Sequence, residues 1–274
     1  MHELPPGFVP RPLALGATAA VPRGAATVVL LRDGAGGPEA YLVRRVLGMA
    51  FAGGMTAFPG GSVDPSDGVT SVPWSGPAPA AWADRLGADE ASARALVCAA
   101  VRETFEESGV LLAGLTPAEV VPDVSDASWE AERVALESHT QTLSELLGRR
   151  RLLLRADLLR PWSHWITPEG EPRRYDTRFF VAALPEGQLT RHVGGEADRV
   201  QWMRPADALA AQRRGELPML LPTAVTLEQL SGYPDVPAVL KAADARQIFP
   251  VLPRLVDAGD RVLIALPGES GYDA

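Results

Sequence analysis

Residues 102–110 read Arg102-Glu103-Thr104-Phe105-Glu106-Glu107-Ser108-Gly109-Val110, and the reading of this stretch decides the rest. Residues 89–101, just before it, are rich in Ala with Leu96 and Val97, which predicts a helix with Asp89 as its N-cap. On a helical wheel Val97, Val101, Thr104 and Phe105 share one face. Glu103, Glu106 and Glu107 fall on an arc opposite, spaced three and four apart, so they are neighbours on the surface. Like charges at this spacing cost about a few tenths of a kcal/mol per pair. Gly109 is a natural helix stop, which places the acids at the negative end of the helix dipole. A stretch that breaks several local preferences at once marks a functional site. A divalent cation is the simplest relief, and an all-carboxylate cluster suits Mg²⁺ or Mn²⁺. The plain alternative is a solvated acidic helix end. Arg102, Gly109 and the glycines upstream tilt the balance toward the cation.

Upstream, residues 25–32 (AATVVLLR) predict a buried strand, residues 33–37 a turn and residues 39–46 (EAYLVRRV) the returning strand of a hairpin. Residues 51–64 (FAGGMTAFPGGSVD) carry two glycine pairs, Gly53-Gly54 and Gly60-Gly61. Glycine lets backbone approach a ligand closely. Residues 65–87, rich in Pro, Gly, Ala and Ser, read as an irregular excursion with one short helical turn.

Downstream, residues 125–147 read as one helix starting at Ser125 or Asp126 and stopped by Gly148. Arg149, Arg150, Arg151 and Arg155 come next, either a solvated helix end or a clamp for a substrate phosphate. Residues 178–183 and 199–203 predict strands, and a helix begins with Pro205 at its first position. Residues 222–230 and 236–243 read as helices, and residues 247–256 and 261–266 as late strands. Residues 1–22 are expected to be irregular, and residues 218–274 to form an appendage packing on the same domain.

The chain has 274 residues, 46% hydrophobic and 22% charged, which suits one elaborated globular domain. A net charge of −8 argues against a non-specific nucleic-acid binder. Cys98 is the single cysteine, read as a small buried hydrophobe. His164 and His192 are candidate bases, with a solvated loop histidine the favoured reading of each. No leader and no membrane span is legible, so a cytoplasmic location is the default expectation. The sequence leaves the oligomeric state open, a dimer included.

These residues resemble the Nudix box, G-x5-E-x7-R-E-U-x-E-E-x-G-U, where U is aliphatic or aromatic. Gly61 resembles its opening glycine and residues 102–110 its closing half, with Thr104 departing at a U position. Gly61 and Arg102 stand 41 positions apart where the pattern has 14, an excess of 27 that matches the excursion. Asp67 stands where the first glutamate of the box is expected. A box split in this way resembles the Nudix branch that includes the peroxisomal coenzyme A diphosphatases. The stretches AFPGGSVD, RETFEESGVLL, RRYDTRFFVA and ALPGESGYD are similar to that branch. The resemblance implies an α/β/α sandwich with a mixed central sheet and extra helices, a domain over residues 23–217 and an insertion at about 62–88.

It also implies metal-dependent cleavage of a nucleoside diphosphate linked to another group. On that basis Glu103, Glu106 and Glu107 hold Mg²⁺ or Mn²⁺, and Arg102 orients a box carboxylate. Gly60 and Gly61 bring backbone to the substrate, while Arg149 and Arg151 hold a phosphate. Glu103, or a glutamate outside the box, is the base. Glu196 is the first candidate for an added ligand from a later loop and Glu171 the second. The expected substrate is coenzyme A or an acyl derivative, with ADP-ribose or NADH as the alternative. A catalytically inactive nucleotide sensor is the alternative of another class; three crowded carboxylates argue against it. The partner is then a small molecule, with no nucleic acid and no membrane.

Overall fold

In a computed structural model, the described residues are 1–3, 18–48, 52–69, 71–193, 197–257, 259 and 262–272. The first strand, β1 (His2–Glu3), departs from the expected irregular start. The hairpin expected at residues 25–46 is present as β2 (Arg23–Gly34) and β3 (Gly37–Arg45). Along β2, Ala26, Val28 and Leu30 enter one core, while Val29 and Leu31 enter another. A strand buried on both faces needs an unbroken apolar run, which AATVVLLR supplies.

Next come β4 (Thr56–Ala57), on the edge of β3, and β5 (Gly60–Ser62), antiparallel to β2. After these, β6 (Trp74–Ser75), β7 (Ala113–Gly114) and β8 (Leu153–Arg155) form a small sheet of their own in the order β6-β8-β7. The main sheet is completed by β9 (Arg160–Ile166), β10 (Tyr175–Ala183), β11 (Ala197–Met203) and β12 (Pro250–Val251). Its order is β11-β3-β2-β10-β9-β12, mixed because β10 runs parallel to β2 and antiparallel to β9. The last hairpin, β13 (Arg254–Asp257) and β14 (Val262–Ala265), takes β1 as a third strand.

Four helices cover the first core: α1 (Pro79–Leu86), α2 (Glu90–Ser108), α3 (Ala127–Glu137) and α4 (Leu143–Arg150). Three cover the second: α5 (Pro205–Arg213), α6 (Leu221–Leu230) and α7 (Val236–Asp244). Helices on both faces of a mixed sheet make the expected α/β/α sandwich. Among the described residues no helix is long and apolar enough to cross a membrane.

The structure corrects three expectations. The helix expected at residues 125–147 is broken. Asp126 caps α3, Ser138 ends it, and His139 takes a left-handed φ of 54°. Thr142 restarts the chain as α4 through a reciprocal capping box: its Oγ1 accepts the Glu145 N–H at 3.2 Å, and Glu145 accepts the Thr142 N–H at 2.8 Å. Gly148 lies inside α4, and Arg151 terminates it with a φ of 55°. The excursion at 65–87 is more ordered than expected. It holds a 3-10 turn (Pro65–Gly68), β6 and the two-turn α1, whose Trp82 meets Phe180 of the sheet edge-on at 5.9 Å. The late strand expected at 247–256 is two strands, β12 and β13, split after Val251.

Candidate active site

The helix α2 begins and ends where its caps dictate. Asp89 accepts the Ser92 N–H at 2.9 Å, and Gly109 closes the helix at φ 72° with its N–H on the Phe105 carbonyl. The acidic end is not a solvated one: Glu106 is only 8% exposed. Thr104, the departure from an apolar position, is fully buried with its hydroxyl donated to the Ala100 carbonyl at 2.7 Å. That bond satisfies the one polar group the substitution brings into the core.

Arg102 joins the two pieces of sequence that the excursion separates. Its Nε and Nη2 donate to the two oxygens of Asp67 at 3.0 and 2.9 Å, and Nη2 also donates to the Ser62 carbonyl at 2.9 Å. Its Nη1 donates to Glu103 at 2.8 Å and, at the long distance of 3.3 Å, to Glu106. Asp67 therefore takes the place where the first glutamate of the box is expected. The shorter side chain reaches because the 3-10 turn carries it inward, where its Oδ2 also accepts the Asp64 N–H at 2.8 Å. Burial pushes the Asp67 carboxyl up, and the Arg102 guanidinium pulls against it.

Glu103 and Glu107 lie against β5. A Cβ added at Gly61 would lie 2.5 Å from the Glu103 Oε1, so only glycine lets backbone and carboxylate come this close. The Gly60 N–H donates to Glu107 at 2.9 Å, and Arg45 stands 4.0 Å from the same carboxylate. Glu106 has its carboxyl pushed up from 4.5 to about 7, by burial first and by the charge of Glu103 second, with Arg102 opposing.

This arrangement fits a divalent cation in its chemistry and leaves it work to do. The donors are all carboxylate oxygens, and their mutual repulsion is what a hard cation relieves. Among the described residues, however, no three acidic, His or Cys side chains close on one point as a ready cage. The reason is visible: Arg102 draws Glu103 and Glu106, while Gly60 holds Glu107.

Gly60, Gly61 and the three glutamates line a cavity of about 710 Å³. Glu171, the second sequence candidate, lines it too; Glu196 lies outside the described residues. Arg149 and Arg151 do not reach it. Arg149 is turned to Glu132 at 3.3 Å and Gln141 at 3.0 Å, and Arg151 is the exposed end of α4. The cationic side chains at the cavity are instead Arg23, Arg45, Arg102 and Arg173. Sequence reasoning missed Arg23, Arg45 and Arg173; the first two open β2 and close β3, a placement that only strand pairing makes meaningful. Glu137 and His139 also line the cavity, brought there by the break after α3. His164 is no solvated loop histidine: it is buried on β9 with its ring against Asp176. Cys98 is buried, and burial pushes its thiol up to about 12.

Comparison with known proteins places this geometry in a family. The profile of the NUDT19 Nudix domain matches residues 83–230. The chain is 32% identical to a NUDIX hydrolase from Alicyclobacillus acidocaldarius, with a TM-score of 0.64, covering 81% of this chain and 96% of that one. It is 27% identical over 236 residues to acyl-coenzyme A diphosphatase NUDT19 of Gallus gallus, covering 78% of this chain and 58% of the relative. It is 25% identical over 201 residues to the same-named protein of Xenopus laevis, covering 64% and 50%. The chain thus spans about half the length of the curated relatives it matches. A split acidic box rejoined by Arg102 and Asp67, the sandwich that carries it, and a matching profile over more than half of the residues together assign the chain to the Nudix hydrolases, in the NUDT19 Nudix domain family.

Proposed function

We propose that the protein hydrolyses the pyrophosphate of coenzyme A or an acyl-coenzyme A, using Mg²⁺ or Mn²⁺ and releasing 3′,5′-ADP and a phosphopantetheine. The observation that carries this reading is the set of three carboxylates from the last two turns of α2 on the wall of one cavity, two of them against the backbone of Gly60 and Gly61. The names of the vertebrate relatives support the choice of substrate.

A pyrophosphate resists attack by water because its own charge repels a nucleophile. A divalent cation held by Glu103, Glu106 and Glu107 would neutralise that charge and acidify a water molecule. The chain's own residues do the rest. Asp67 fixes the Arg102 guanidinium with two bonds, and Arg102 in turn orients Glu103. Arg23, Arg45 and Arg173 add positive charge around the phosphates. The proton of the attacking water passes to a carboxylate on the wall, Glu103 first and Glu171 as the alternative.

The decisive experiment is a product assay on coenzyme A, an acyl-coenzyme A, ADP-ribose and NADH, each with Mg²⁺, with Mn²⁺ and with chelator. Release of 3′,5′-ADP from the first two, lost with chelator, is expected. No cleavage of any substrate with either metal would end the enzyme reading. Glu106→Gln is expected to lower kcat by orders of magnitude with the fold intact, because the cation loses one of the carboxylates that would hold it.

A further inference from the structure

We propose that His139, in the turn between α3 and α4, is a further catalytic residue: its Nε2–H donates a hydrogen bond to the phosphate group that leaves when the pyrophosphate is cleaved. This rests on the pyrophosphate-hydrolase part of the proposed function, and not on which group the pyrophosphate carries.

The backbone of this turn favours a different residue. Helix α3 closes with two bonds: the Thr140 N–H donates to the Ala135 carbonyl at 2.9 Å, and the His139 N–H to the Leu136 carbonyl at 2.8 Å. In such a closure the residue after the cap takes a left-handed φ, and glycine is its usual occupant because it has no Cβ to crowd the chain. His139 takes that conformation instead, with a φ of 54°. Arg151 does the same at the end of α4, with a φ of 55°, so the backbone alone singles out no site. The side chain does. Among the described residues His139 is the one histidine on the cavity wall. Its imidazole is 71% exposed and belongs to neither hydrophobic core, so packing does not account for its place at a glycine position.

Two tethers set His139 beside the acidic turns of α2. Arg133 donates through one Nη1 to Glu137 and to the Glu106 carbonyl, both at 2.9 Å, which ties the end of α3 to the end of α2. On the other side the ring meets Asp64, whose N–H donates to Asp67, the partner of Arg102. Asp64 also orients the ring. Its Oδ1 is committed to the Ser66 N–H at 2.8 Å and hydroxyl at 2.6 Å, and its Oδ2 faces His139 Nδ1 at 4.0 Å. Contacts of this kind tighten as substrate binds. With Nδ1 turned to Asp64, a doubly protonated ring offers its second N–H, on Nε2, to an anion.

The charge around the cavity leaves this role to His139. Arg23 and Arg45 approach from the strands. On the α3 side stand Glu137 and Asp64, which repel a phosphate, and His139 is the donor among them. As the oxygen of water bonds to one phosphorus, the bridging P–O bond breaks and its electron pair passes to the bridging oxygen of the leaving phosphate. A donor fixed at that group counts most as its charge grows. The proton stays on Nε2, so the proton of the water still passes to Glu103 or Glu171.

The test measures kcat, KM and thermal melting of His139→Gly on whichever substrate of the panel wild type cleaves best. The variant is expected to melt about 2–4 °C higher, because glycine suits the left-handed turn. Its kcat is expected to fall roughly tenfold or more, with KM within about threefold of wild type. Added imidazole is expected to restore part of the lost kcat and to leave wild type unchanged, a rescue that a structural role would not give. Asp64→Asn, which keeps the bonds to Ser66, is expected to lower kcat several-fold alone and to add nothing in the His139→Gly background. A His139→Gly kcat within about twofold of wild type would overturn the inference, because a lost donor at the leaving phosphate costs far more. So would a loss that Asp64→Asn deepens equally in both backgrounds. Should the glycine variant melt far below wild type, His139→Asn decides by the same kcat criterion, since asparagine also suits the turn and is too short to reach the phosphate. No cleavage of any substrate by wild type overturns the proposed function, whereas an active wild type equalled by His139→Gly overturns this inference alone.

Discussion

Replacing Glu106 by Gln should destroy activity and, in the absence of metal, make the protein more stable at neutral pH. The Glu106 carboxyl is pushed from 4.5 to about 7 in the fold, by burial and then by Glu103. Below about 4.5 both folded and unfolded chains hold this proton, and the group has no effect on stability. Between 4.5 and about 7 the unfolded chain releases the proton while the folded chain keeps it, so stability falls as pH rises. Above that window the full penalty remains, about 3 kcal/mol at about 1.4 kcal/mol per pH unit. Glutamine has nearly the shape of the protonated acid and never ionises. The variant should therefore match wild type at pH 4.5 and exceed it by about 3 kcal/mol at pH 8, or roughly 6–10 °C in Tm. The assay is thermal and urea unfolding of both proteins in EDTA across that range. Adding Mg²⁺ should raise the Tm of wild type at pH 8 and move the variant much less, because the cation takes over the repulsion that Gln removes. A variant less stable than wild type at pH 8 in EDTA, or a difference that does not change with pH, would refute the electrostatic account.

Asp67→Ala leaves a guanidinium 4% exposed without its bidentate partner, and urea unfolding should show a loss of about 3–5 kcal/mol. Gly61→Ala puts a Cβ 2.5 Å from the Glu103 carboxylate, a flexible group that can swing aside. The variant should fold, with Tm within a few degrees of wild type, and lose kcat on the order of 10²-fold because Glu103 no longer sits against β5. Arg149→Ala should leave kcat/KM within about twofold, whereas Arg45→Ala, at the cavity, should lower it roughly tenfold or more. A large effect at Arg149 with none at Arg45 would reverse the assignment of the phosphate-facing cations.

The features legible in the sequence are those that depend on near neighbours along the chain. The apolar run of β2, the cap Asp89, the stop Gly109 and the arc of Glu103, Glu106 and Glu107 all derive from spacings within one element. Asp67 could be placed by counting from Gly61, because its job depends on a turn that begins three residues before it. The break between α3 and α4 was also local, signalled by Thr142 and Glu145, but the long apolar periodicity on either side concealed it. The features that could not be read depend on partners far along the chain. Arg149 and Arg150 look like a free basic cluster until α3 returns Glu132, and the turn after it Gln141, to them. Arg45 looks unremarkable until β5 pairs with β2 and its Gly60 holds Glu107 beside it, and Arg23 until the same sheet makes it part of the cavity wall.

The same distinction explains why a sequence that asks for a cation folds around an arginine. Crowded acids at a helix end need a positive charge to be tolerable at all, and Arg102 supplies one from their own helix. Its position does not depend on the glutamates. Two bonds to Asp67 and one to the Ser62 carbonyl hold the guanidinium, while its bond to Glu106 is long. On the proposed reading, Glu106, on the long bond, turns toward the cation without the arginine having to leave or the box having to reopen. The first half of the split box matters to the chemistry in this way. By committing Arg102 to Asp67, it keeps Glu103 paired at 2.8 Å and leaves Glu106 on a long bond. Burial first and the charge of Glu103 second push the Glu106 carboxyl up to about 7 against the pull of that arginine.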